Sequence, residues 1–158
     1  MTFEIRAFYG SEALSAIIQL RYDVLRKPLG LSMEQSQFPG DELSTTVHMV
    51  GYKNSKMAAC LTILLSDVKL PEEPQSGQLR GMAVADGYRG LGFGALLLDA
   101  AHEWARQKGV SLWCNARSQA VGFYSKHGWE VTSPEYEVVN VGPHFRMCWK
   151  PKQTTQTH

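Results

Sequence analysis

The chain has 158 residues, a length that fits a single domain built around one sizeable core. Its 16 Lys and Arg residues nearly balance its 15 Asp and Glu residues, so the formal net charge is +1. This balance argues against broad electrostatic capture of nucleic acid or of a membrane surface, and it favours a small or locally charged ligand. We predict one domain over residues 1–150, followed by a flexible polar tail over residues 151–158.

The start of the chain and its cysteines predict a soluble, cytoplasmic protein. The first ten residues lack a basic segment followed by an apolar run, and no stretch approaches the roughly 18 apolar residues that cross a membrane. Cys60, Cys114 and Cys148 are odd in number, widely spaced and set among apolar neighbours. This pattern predicts buried, reduced thiols, with neither a disulfide framework nor a metal site.

The first third of the chain predicts a helix and a long loop. Apolar residues at helical spacing predict an amphipathic helix over residues 11–26, with Ser11 as its N-cap. Residues 28–45 carry two prolines, two glycines and little periodicity, which predicts a long loop with room for one short helix. Long loops in compact domains often act as binding lids.

The middle of the chain predicts three strands. Two β-rich runs over residues 45–66, separated by Asn54 and Ser55, predict a hairpin. Residues 77–84 predict another strand, and the glycine in its interior, Gly81, indicates a bulge or the close approach of another backbone.

The remaining elements predict the fold class. A helix is expected over about residues 92–108, a short buried strand over 110–115 and a second helix over 119–128. Residues 129–140 and 144–150 predict a closing antiparallel pair. A βαβ unit flanked by antiparallel strands predicts an α+β fold with a mixed sheet.

Residues 87–95, GYRGLGFGA, place bare backbone at the start of the helix predicted over residues 92–108. The first turn of a helix leaves N–H groups without partners, and the helix dipole adds a partial positive charge there. Gly90, Gly92 and Gly94 let an extended anion lie directly on the backbone, because no Cβ blocks its approach. Arg89 adds a charge-assisted contact. The same glycines also fit an ordinary turn, and this alternative stays open.

Two known anion-binding motifs fit this segment poorly. Gly90, Gly92 and Ala95 satisfy the dinucleotide fingerprint G-x-G-x-x-G/A, but that fingerprint directly follows a strand and pairs with an acidic residue after the next strand. Here the residues ADGYR intervene, and the next predicted strand ends at Cys114 and Asn115. The P-loop does not fit, because its Gly-Lys-Ser/Thr ending is absent.

Residues 79–95 resemble the strand, loop and helix start that bind acetyl-coenzyme A (acetyl-CoA) in the GNAT superfamily of N-acetyltransferases. Arg89, Gly92 and Gly94 match the R/Q-x-x-G-x-G/A motif of that superfamily. Residues 115–130 resemble its second signature, an Asn after a strand followed by an aromatic-Tyr-x-x-x-Gly-aromatic ending. The two segments occur in the expected order and spacing.

This resemblance covers roughly residues 77–130 and implies the acyl-CoA N-acyltransferase fold, with about six or seven mostly antiparallel strands, a parallel central pair and flanking helices. It also implies acetyl-CoA as cosubstrate. The diphosphate is expected on the glycine-rich segment, and the pantetheine arm beside the strand that precedes it. The residues implied to bind acetyl-CoA are Met82, Ala83, Val84, Arg89, Gly90, Leu91, Gly92, Phe93, Gly94, Ala95 and Asn115.

The chemistry implied by the resemblance is direct attack of a neutral amine on the thioester carbonyl. The backbone N–H of Met82 is expected to stabilise the oxyanion that forms. Tyr124 matches the family's tyrosine near the sulfur and is expected to protonate or hydrogen-bond the leaving thiolate. The alternative for Tyr124 is a core tyrosine with its hydroxyl satisfied at the surface.

The general base is less clearly defined by the sequence. Many family members place a Glu on the strand that corresponds to residues 77–84, and this chain has none there. His144 is the leading candidate, because its strand is predicted to run antiparallel to the strand that ends at Asn115. His48 and bulk water are the alternatives, and a structural role fits either histidine as well.

The end of the chain carries a second, narrower resemblance. Pro143, His144 and Met147 resemble the P-H-x-x-M motif near the end of some ElaA-like members of the superfamily. The acidic residues that usually precede this motif are replaced by residues 139–142, VNVG.

We therefore predict an N-acetyltransferase that moves an acetyl group from acetyl-CoA to a primary amine of a small molecule or peptide. Asp23, Asp41 and Glu42 are candidates for binding a cationic acceptor amine. The alternative function is a non-catalytic acyl-CoA binder or sensor, which keeps residues 89–95 but lacks a working acid and base. Tyr124 favours the enzyme, and the missing strand Glu favours the binder. The sequence leaves open whether the chain forms a homodimer.

Overall fold

The computed structural model of the chain describes residues 2–66 and 75–152. The last six residues of the predicted polar tail, 153–158, lie outside the described residues. The single domain predicted over residues 1–150 stays a prediction.

The described residues form two compact units. Residues 2–65 and 78–101 make up the first unit, and residues 66, 75–77 and 102–152 make up the second. Each unit has its own strands and its own buried side chains, and each is described by itself below.

The first unit contains four strands that neighbour one another in chain order. They are β1 (Phe3–Tyr9), β2 (Val47–Lys53), β3 (Lys56–Leu65) and β4 (Ser76–Val84), the last beginning in the second unit. β1 and β2 are antiparallel, as are β2 and β3. The predicted hairpin is confirmed, because Asn54 and Ser55 connect β2 to β3 with φ of 49° and 67°.

Strand β1 was not predicted from the sequence. It pairs with β2 from Phe3 opposite Lys53 to Tyr9 opposite Val47. Most of its residues are exposed, so the alternation of buried and exposed side chains that identifies a strand is missing.

Helix α1 (Leu14–Arg21) is shorter than the helix predicted over residues 11–26. Its N-cap residue is Ala13, with φ of 57°, and no side chain caps the helix, so the prediction of a Ser11 cap was wrong. Ser11 instead belongs to a turn in which its carbonyl accepts a hydrogen bond from Leu14 N–H at 3.2 Å. The chain continues as a π-helical turn over Tyr22–Arg26.

The core of the first unit lies between α1 and the strands. Its buried residues come from the helix and from three strands, and partly buried apolar side chains surround them. Burial of such side chains removes apolar surface from water and stabilises the unit. The members of this cluster are Ile17, Leu20, Val50, Cys60 and Ala83.

Helix α2 (Phe93–Lys108) follows β4 and spans the boundary between the units. The predicted helix over 92–108 is confirmed, and Gly109 follows it with φ of 69°, as a glycine after a helix end commonly does. At its start, Phe93 stacks on Phe3 with 4.3 Å between ring centroids.

The second unit contains four more strands and helix α3 (Val121–Lys126). Strand β8 (Gly142–Trp149) pairs antiparallel with β5 (Ser111–Arg117), from Leu112 opposite Trp149 to Arg117 opposite His144. Strands β6 (Glu130–Val131) and β7 (Tyr136–Val138) also pair antiparallel with β8.

The predicted closing pair is confirmed in its pairing, but its first strand is split into β6 and β7. Between the two, Ser133 Oγ accepts a hydrogen bond from Arg146 N–H at 2.8 Å, so a side chain replaces a ladder partner. Pro134 follows, and it has no N–H to donate to a ladder. The described residues therefore form eight strands rather than six or seven.

A buried aromatic cluster holds the second unit together. Trp129 Nε1 donates to His102 Nε2 at 2.9 Å, and the His102 ring stacks on Trp149 with 4.2 Å between centroids. The indole N–H and the imidazole are both satisfied in the interior, as buried polar groups require.

The described residues contain no helix long and apolar enough to cross a membrane. The cysteine prediction is confirmed for Cys60 and Cys114, which are buried, whereas Cys148 is partly exposed. None of the three forms a disulfide bond. In the described part of the chain, no group of three or more His, Cys, Asp or Glu residues is placed to hold a metal ion.

Candidate functional site

The glycine turn, residues 86–92, connects β4 to α2 and exposes its backbone. Gly87, Gly90 and Gly92 have φ of 88°, 77° and 82°, in the left-handed region that favours glycine. A Cβ built on any of these three would meet no heavy atom within 4 Å. An extended anion therefore has room to approach the amides that precede and begin α2.

Arg89 places one cation on the glycine turn. Its side chain is 59% exposed and forms an ion pair with Asp86 at 3.4 Å. Its Nε also donates to the carbonyl of Val84 at 3.5 Å. Because an exposed ion pair of this length is weak, a ligand anion can replace Asp86 at little cost.

Gly81 interrupts β4, and the groups that approach it closely are side chains rather than the other backbone that the sequence analysis gave as one of two interpretations. Its φ is +64°, and a Cβ at this position would lie 2.8 Å from Arg21 Nε and 2.9 Å from Phe38 Cε2. The carbonyl of Gly81 accepts a hydrogen bond from Cys60 Sγ at 3.6 Å. The backbone just before Met82 is therefore held in a conformation that other residues rarely adopt.

A buried polar network, here called the Arg21 network, packs against Gly81. Arg21 is fully buried and forms a two-pronged ion pair with Asp41, at 2.7 and 3.0 Å. It also donates to the carbonyl of Ser36 at 3.0 Å and to Thr62 Oγ1 at 2.7 Å. Planar guanidinium–carboxylate pairing of this kind is strong and directional.

His48 belongs to the Arg21 network and is not placed to act as a base. Its Nε2 lies 3.0 Å from the carbonyl of Asp41, which can only accept, so Nε2 carries the hydrogen. Its Nδ1 lies 2.8 Å from Thr62 Oγ1, which accepts from Arg21 and donates to the imidazole. Both ring nitrogens are engaged, and the residue is fully buried, so the structural role fits His48.

Asp41 is likewise unavailable to a cationic acceptor amine, and that prediction was wrong. It is 3% exposed, and both of its carboxylate oxygens accept from Arg21. Phe38 N–H also donates to Asp41 Oδ2 at 2.8 Å. Its role is to anchor the 28–45 segment to the strands.

In the second unit, Asn115 and His144 are linked through Tyr136. The Tyr136 hydroxyl donates to Asn115 Oδ1 at 2.6 Å, and its ring stacks on the His144 ring with 6.0 Å between centroids. The sequence analysis did not select Tyr136. The sequence of residues 129–140 predicts only a strand. The role of Tyr136 becomes visible only from the strand register, which places it opposite His144.

The His144 ring has a defined tautomer in its neutral form. Its Nδ1 lies 2.8 Å from the carbonyl of Gly142, and a carbonyl accepts only, so Nδ1 carries the hydrogen. Nε2 of the neutral ring then holds the lone pair that a general base needs. The side chain is 7% exposed.

Tyr124 lies on α3 and is 7% exposed. Its ring packs against Trp129, with 5.1 Å between centroids. Burial raises the pKa of the Tyr124 hydroxyl well above its usual value, and Cys114 adds to the shift. Burial likewise raises the pKa of the Cys114 thiol to about 12. Tyr124 therefore keeps its proton at neutral pH and can donate a hydrogen bond through it.

Residues 13–129 match the model of the acetyltransferase (GNAT) family. The chain belongs to this family. The GNAT chain is an acyltransferase. The matched residues end at 129, before Tyr136 and His144.

Named relatives of this GNAT protein are N-acetyltransferases. It is 28% identical over 130 residues to the uncharacterized N-acetyltransferase YitI of Bacillus subtilis (strain 168), across 82% of this chain and 86% of YitI. It is 38% identical over 73 residues to the uncharacterized N-acetyltransferase YjcF of the same organism, across 45% of this chain and 51% of YjcF.

Solved structures show the same fold. Escherichia coli ElaA matches with a TM-score of 0.79 and 24% identity, and the match covers 94% of this chain and 100% of ElaA. The crystal structure of a predicted acetyltransferase with acetyl-CoA from Clostridium acetobutylicum matches with a TM-score of 0.69 and 17% identity, over 87% of this chain and 96% of that one. The predicted α+β acyl-CoA N-acyltransferase fold is thereby confirmed.

The predicted site residues of this GNAT protein fall into two groups, one in each unit. The first unit holds those from Met82 to Ala95, on β4, the glycine turn and the start of α2. The second unit holds Asn115, Tyr124 and His144, of which Asn115 and His144 share the neighbour Tyr136.

Proposed function

We propose that this GNAT protein transfers the acetyl group of acetyl-CoA to a primary amine of a small molecule or a peptide. The observation that carries the proposal is the glycine turn. Its exposed backbone has three left-handed glycines with open space where each Cβ would be, and the family motif begins in this turn and ends in the first turn of α2.

The first unit supplies the groups that would hold acetyl-CoA. The amides from Arg89 to Ala95 receive the diphosphate, because unpaired N–H groups and the helix dipole favour an anion there. Arg89 exchanges its weak ion pair with Asp86 for a phosphate oxygen. The backbone of Met82, Ala83 and Val84 lies beside the pantetheine arm.

The amide of Met82 stabilises the oxyanion of the reaction. It directly follows Gly81, whose backbone is fixed by the contacts beneath it. A fixed donor needs no reorganisation when charge develops on the carbonyl oxygen, and one such donor contributes about 3 kcal/mol.

The transfer needs one acid and one proton acceptor. The amine nitrogen bonds to the acetyl carbon, the carbon–sulfur bond breaks, and the thiolate of coenzyme A leaves as a thiol after it is protonated. The Tyr124 hydroxyl donates that proton or stabilises the thiolate through a hydrogen bond; burial raises its pKa, so the hydrogen bond is the easier of the two. The amine gives up a proton to His144 Nε2 or to bulk water.

Tyr136 positions the polar groups of the second unit. The Tyr136 hydroxyl donates a hydrogen bond to Asn115 Oδ1. The NH₂ group of Asn115 is then left to donate a hydrogen bond to a carbonyl of the pantetheine. The stacking of Tyr136 on His144 also holds the imidazole in place.

A cytoplasmic location forms part of the proposal. Cys60 and Cys114 are buried thiols without a disulfide bond, as is typical of proteins in reducing compartments.

The proposal is tested by incubating the purified protein with acetyl-CoA and a mixed panel of primary amines, while the released thiol and the acetylated amines are measured. We expect thiol release that depends on an amine and matches the amount of amide formed. Binding of acetyl-CoA without transfer to any amine of the panel would favour a non-catalytic acyl-CoA sensor.

A further inference from the structure

Two guanidinium groups lie against the Phe38 ring in the first unit. The guanidinium of Arg21 lies 4.1 Å from the centroid of the Phe38 ring, and that of Arg80 lies 4.5 Å from it. Asp41 gives both of its oxygens to Arg21, at 2.7 and 3.0 Å. Asp41 therefore neutralises Arg21 and leaves Arg80 without a carboxylate of its own.

Arg80 is half-buried, and the described residues offer its guanidinium no hydrogen-bond acceptor and no ion-pair partner. Burial lowers its pKa, an effect that Asp41 opposes and Arg21 reinforces. A cation that loses water without gaining an anion is costly to the folded protein. The position is thus prepared for an anion that comes from outside the chain.

The network beneath Arg80 also has unmet hydrogen-bonding capacity. Arg21 Nε and Ser36 Oγ are buried and have no partner. Buried polar groups nearly always find a partner, so two unmet groups in one cluster are unusual. Arg21 Nε faces Gly81, the residue that follows Arg80 on β4.

We propose that Arg80 binds a carboxylate on the acceptor, so that the substrates of this enzyme are primary amines that carry a carboxylate, such as amino acids. This inference rests on the proposed function. Arg80 and Met82 are separated by the single residue Gly81, so their Cα atoms lie no more than about 7 Å apart. A guanidinium arm and the amide that stabilises the oxyanion are then within reach of one small molecule.

The chemistry favours a carboxylate at this place. A guanidinium presents parallel N–H groups that match the two oxygens of a carboxylate, and its stacking on Phe38 leaves the edges of the plane for hydrogen bonds. Partial burial strengthens this attraction relative to that at a water-exposed arginine. An acceptor with a carboxamide in place of the carboxylate gains no charge pairing and leaves Arg80 unneutralised.

The test compares matched acceptors that differ in one group: an amino acid, its carboxamide and the decarboxylated amine. Values of kcat/KM are corrected for the fraction of neutral amine, because the carboxamide has the more acidic ammonium. We expect the wild-type enzyme to prefer the carboxylate by at least ten-fold. Arg80→Gln should abolish this preference, and Arg80→Lys should retain part of it.

Arg6→Gln is the matched control, since Arg6 is exposed and pairs with Glu4 at 3.1 Å. It should leave the preference intact. The 3′-phosphate of coenzyme A is the competing anion for Arg80, and 3′-dephospho-acetyl-CoA separates the two. If Arg80→Gln raises KM for acetyl-CoA but not for its dephosphorylated form, Arg80 serves the cosubstrate and the inference is overturned.

Equal wild-type rates with the carboxylate and the carboxamide would also overturn it, while the proposed function stands. An equal loss with all three acceptors in Arg80→Gln would show a general structural role and would overturn it as well. Absence of transfer to every amine would instead remove the proposed function, and the inference with it.

Discussion

The glycine turn and the Arg21 network are both in the first unit, and they are built in opposite ways. The turn is a run of consecutive residues with an exposed backbone. The network is fully buried and joins side chains separated along the chain by 20 residues for Arg21 and Asp41 and by 41 for Arg21 and Thr62. Local backbone conformation prepares a surface for a ligand, whereas distant side chains hold the strands and the 28–45 segment together.

This difference separates two kinds of effect. Damage to the turn should weaken ligand binding while the protein stays folded, because no other side chain packs where the missing Cβ atoms would be. Damage to the network should lower the free energy of unfolding, because it leaves buried charge without a partner.

The largest effect is expected from Arg21→Met, which removes one partner of the buried ion pair. Asp41 then remains 3% exposed with an uncompensated charge, so the free energy of unfolding should fall by about 3–5 kcal/mol. Urea denaturation at pH 7 measures this change. Arg6→Met, at an ion pair whose side chains are 61% and 58% exposed, is the control and should cost less than about 1 kcal/mol. A loss for Arg21→Met as small as that of the control would contradict the role given to the network.

Gly92→Ala tests the turn. The new Cβ meets nothing in the protein but stands where the diphosphate is proposed to lie, so the Kd for acetyl-CoA should rise by ten-fold or more, about 1.4 kcal/mol. Isothermal titration calorimetry measures the affinity. Gly109→Ala is matched in backbone strain, with φ of 69° against 82° and equally open space, and it lies at the other end of α2. Equal affinities in the two variants would place the diphosphate elsewhere.

Tyr124→Phe sharpens the comparison, because it should affect neither stability of the network nor binding at the turn. Loss of the proton donor should lower kcat by about ten-fold or more, with little change in the affinity for acetyl-CoA. Steady-state kinetics with an acceptor from the amine panel provide the measurement. Unchanged turnover would remove the acid role from Tyr124.

The last effect, which is absent at pH 7, concerns Cys60, which packs against Gly81 beside the network. Burial raises its pKa from the usual 9.0 to about 12, while Arg21 and a backbone hydrogen bond from Ala83 oppose the shift. The unfolded chain therefore loses this proton first as the pH rises, and the stability of the fold declines between pH 9.0 and about 12.

Comparison of the wild type with Cys60→Ala isolates this thiol from other groups that titrate at high pH. The wild type should lose stability faster than the variant above pH 9.0, by roughly 1 kcal/mol for each pH unit. Thermal denaturation at several pH values follows the difference. Parallel pH profiles for the two proteins would contradict the burial of the Cys60 thiol.

Tertiary pairing decided the features that the sequence analysis missed. Strand β1 is mostly exposed, so its residues show no alternation, and only pairing with β2 reveals it. Ser11 has a side chain that commonly caps helices, but in the structure Ser11 belongs to a turn and the helix begins at Leu14. Tyr136 gains its neighbours Asn115 and His144 from the pairing of β7 and β5 with β8.

The sequence by itself determined the elements whose cause lies within a few residues. The hairpin at Asn54 and Ser55, the end of α2 at Gly109 and the glycine turn with its family motif depend on local backbone preferences, which neighbouring residues encode. Only the tertiary structure decided that Asp41 pairs with Arg21 rather than with Arg80. Charges far apart in the chain show no sign of pairing until folding brings them within a few ångströms, where Coulomb attraction and hydrogen bonding act.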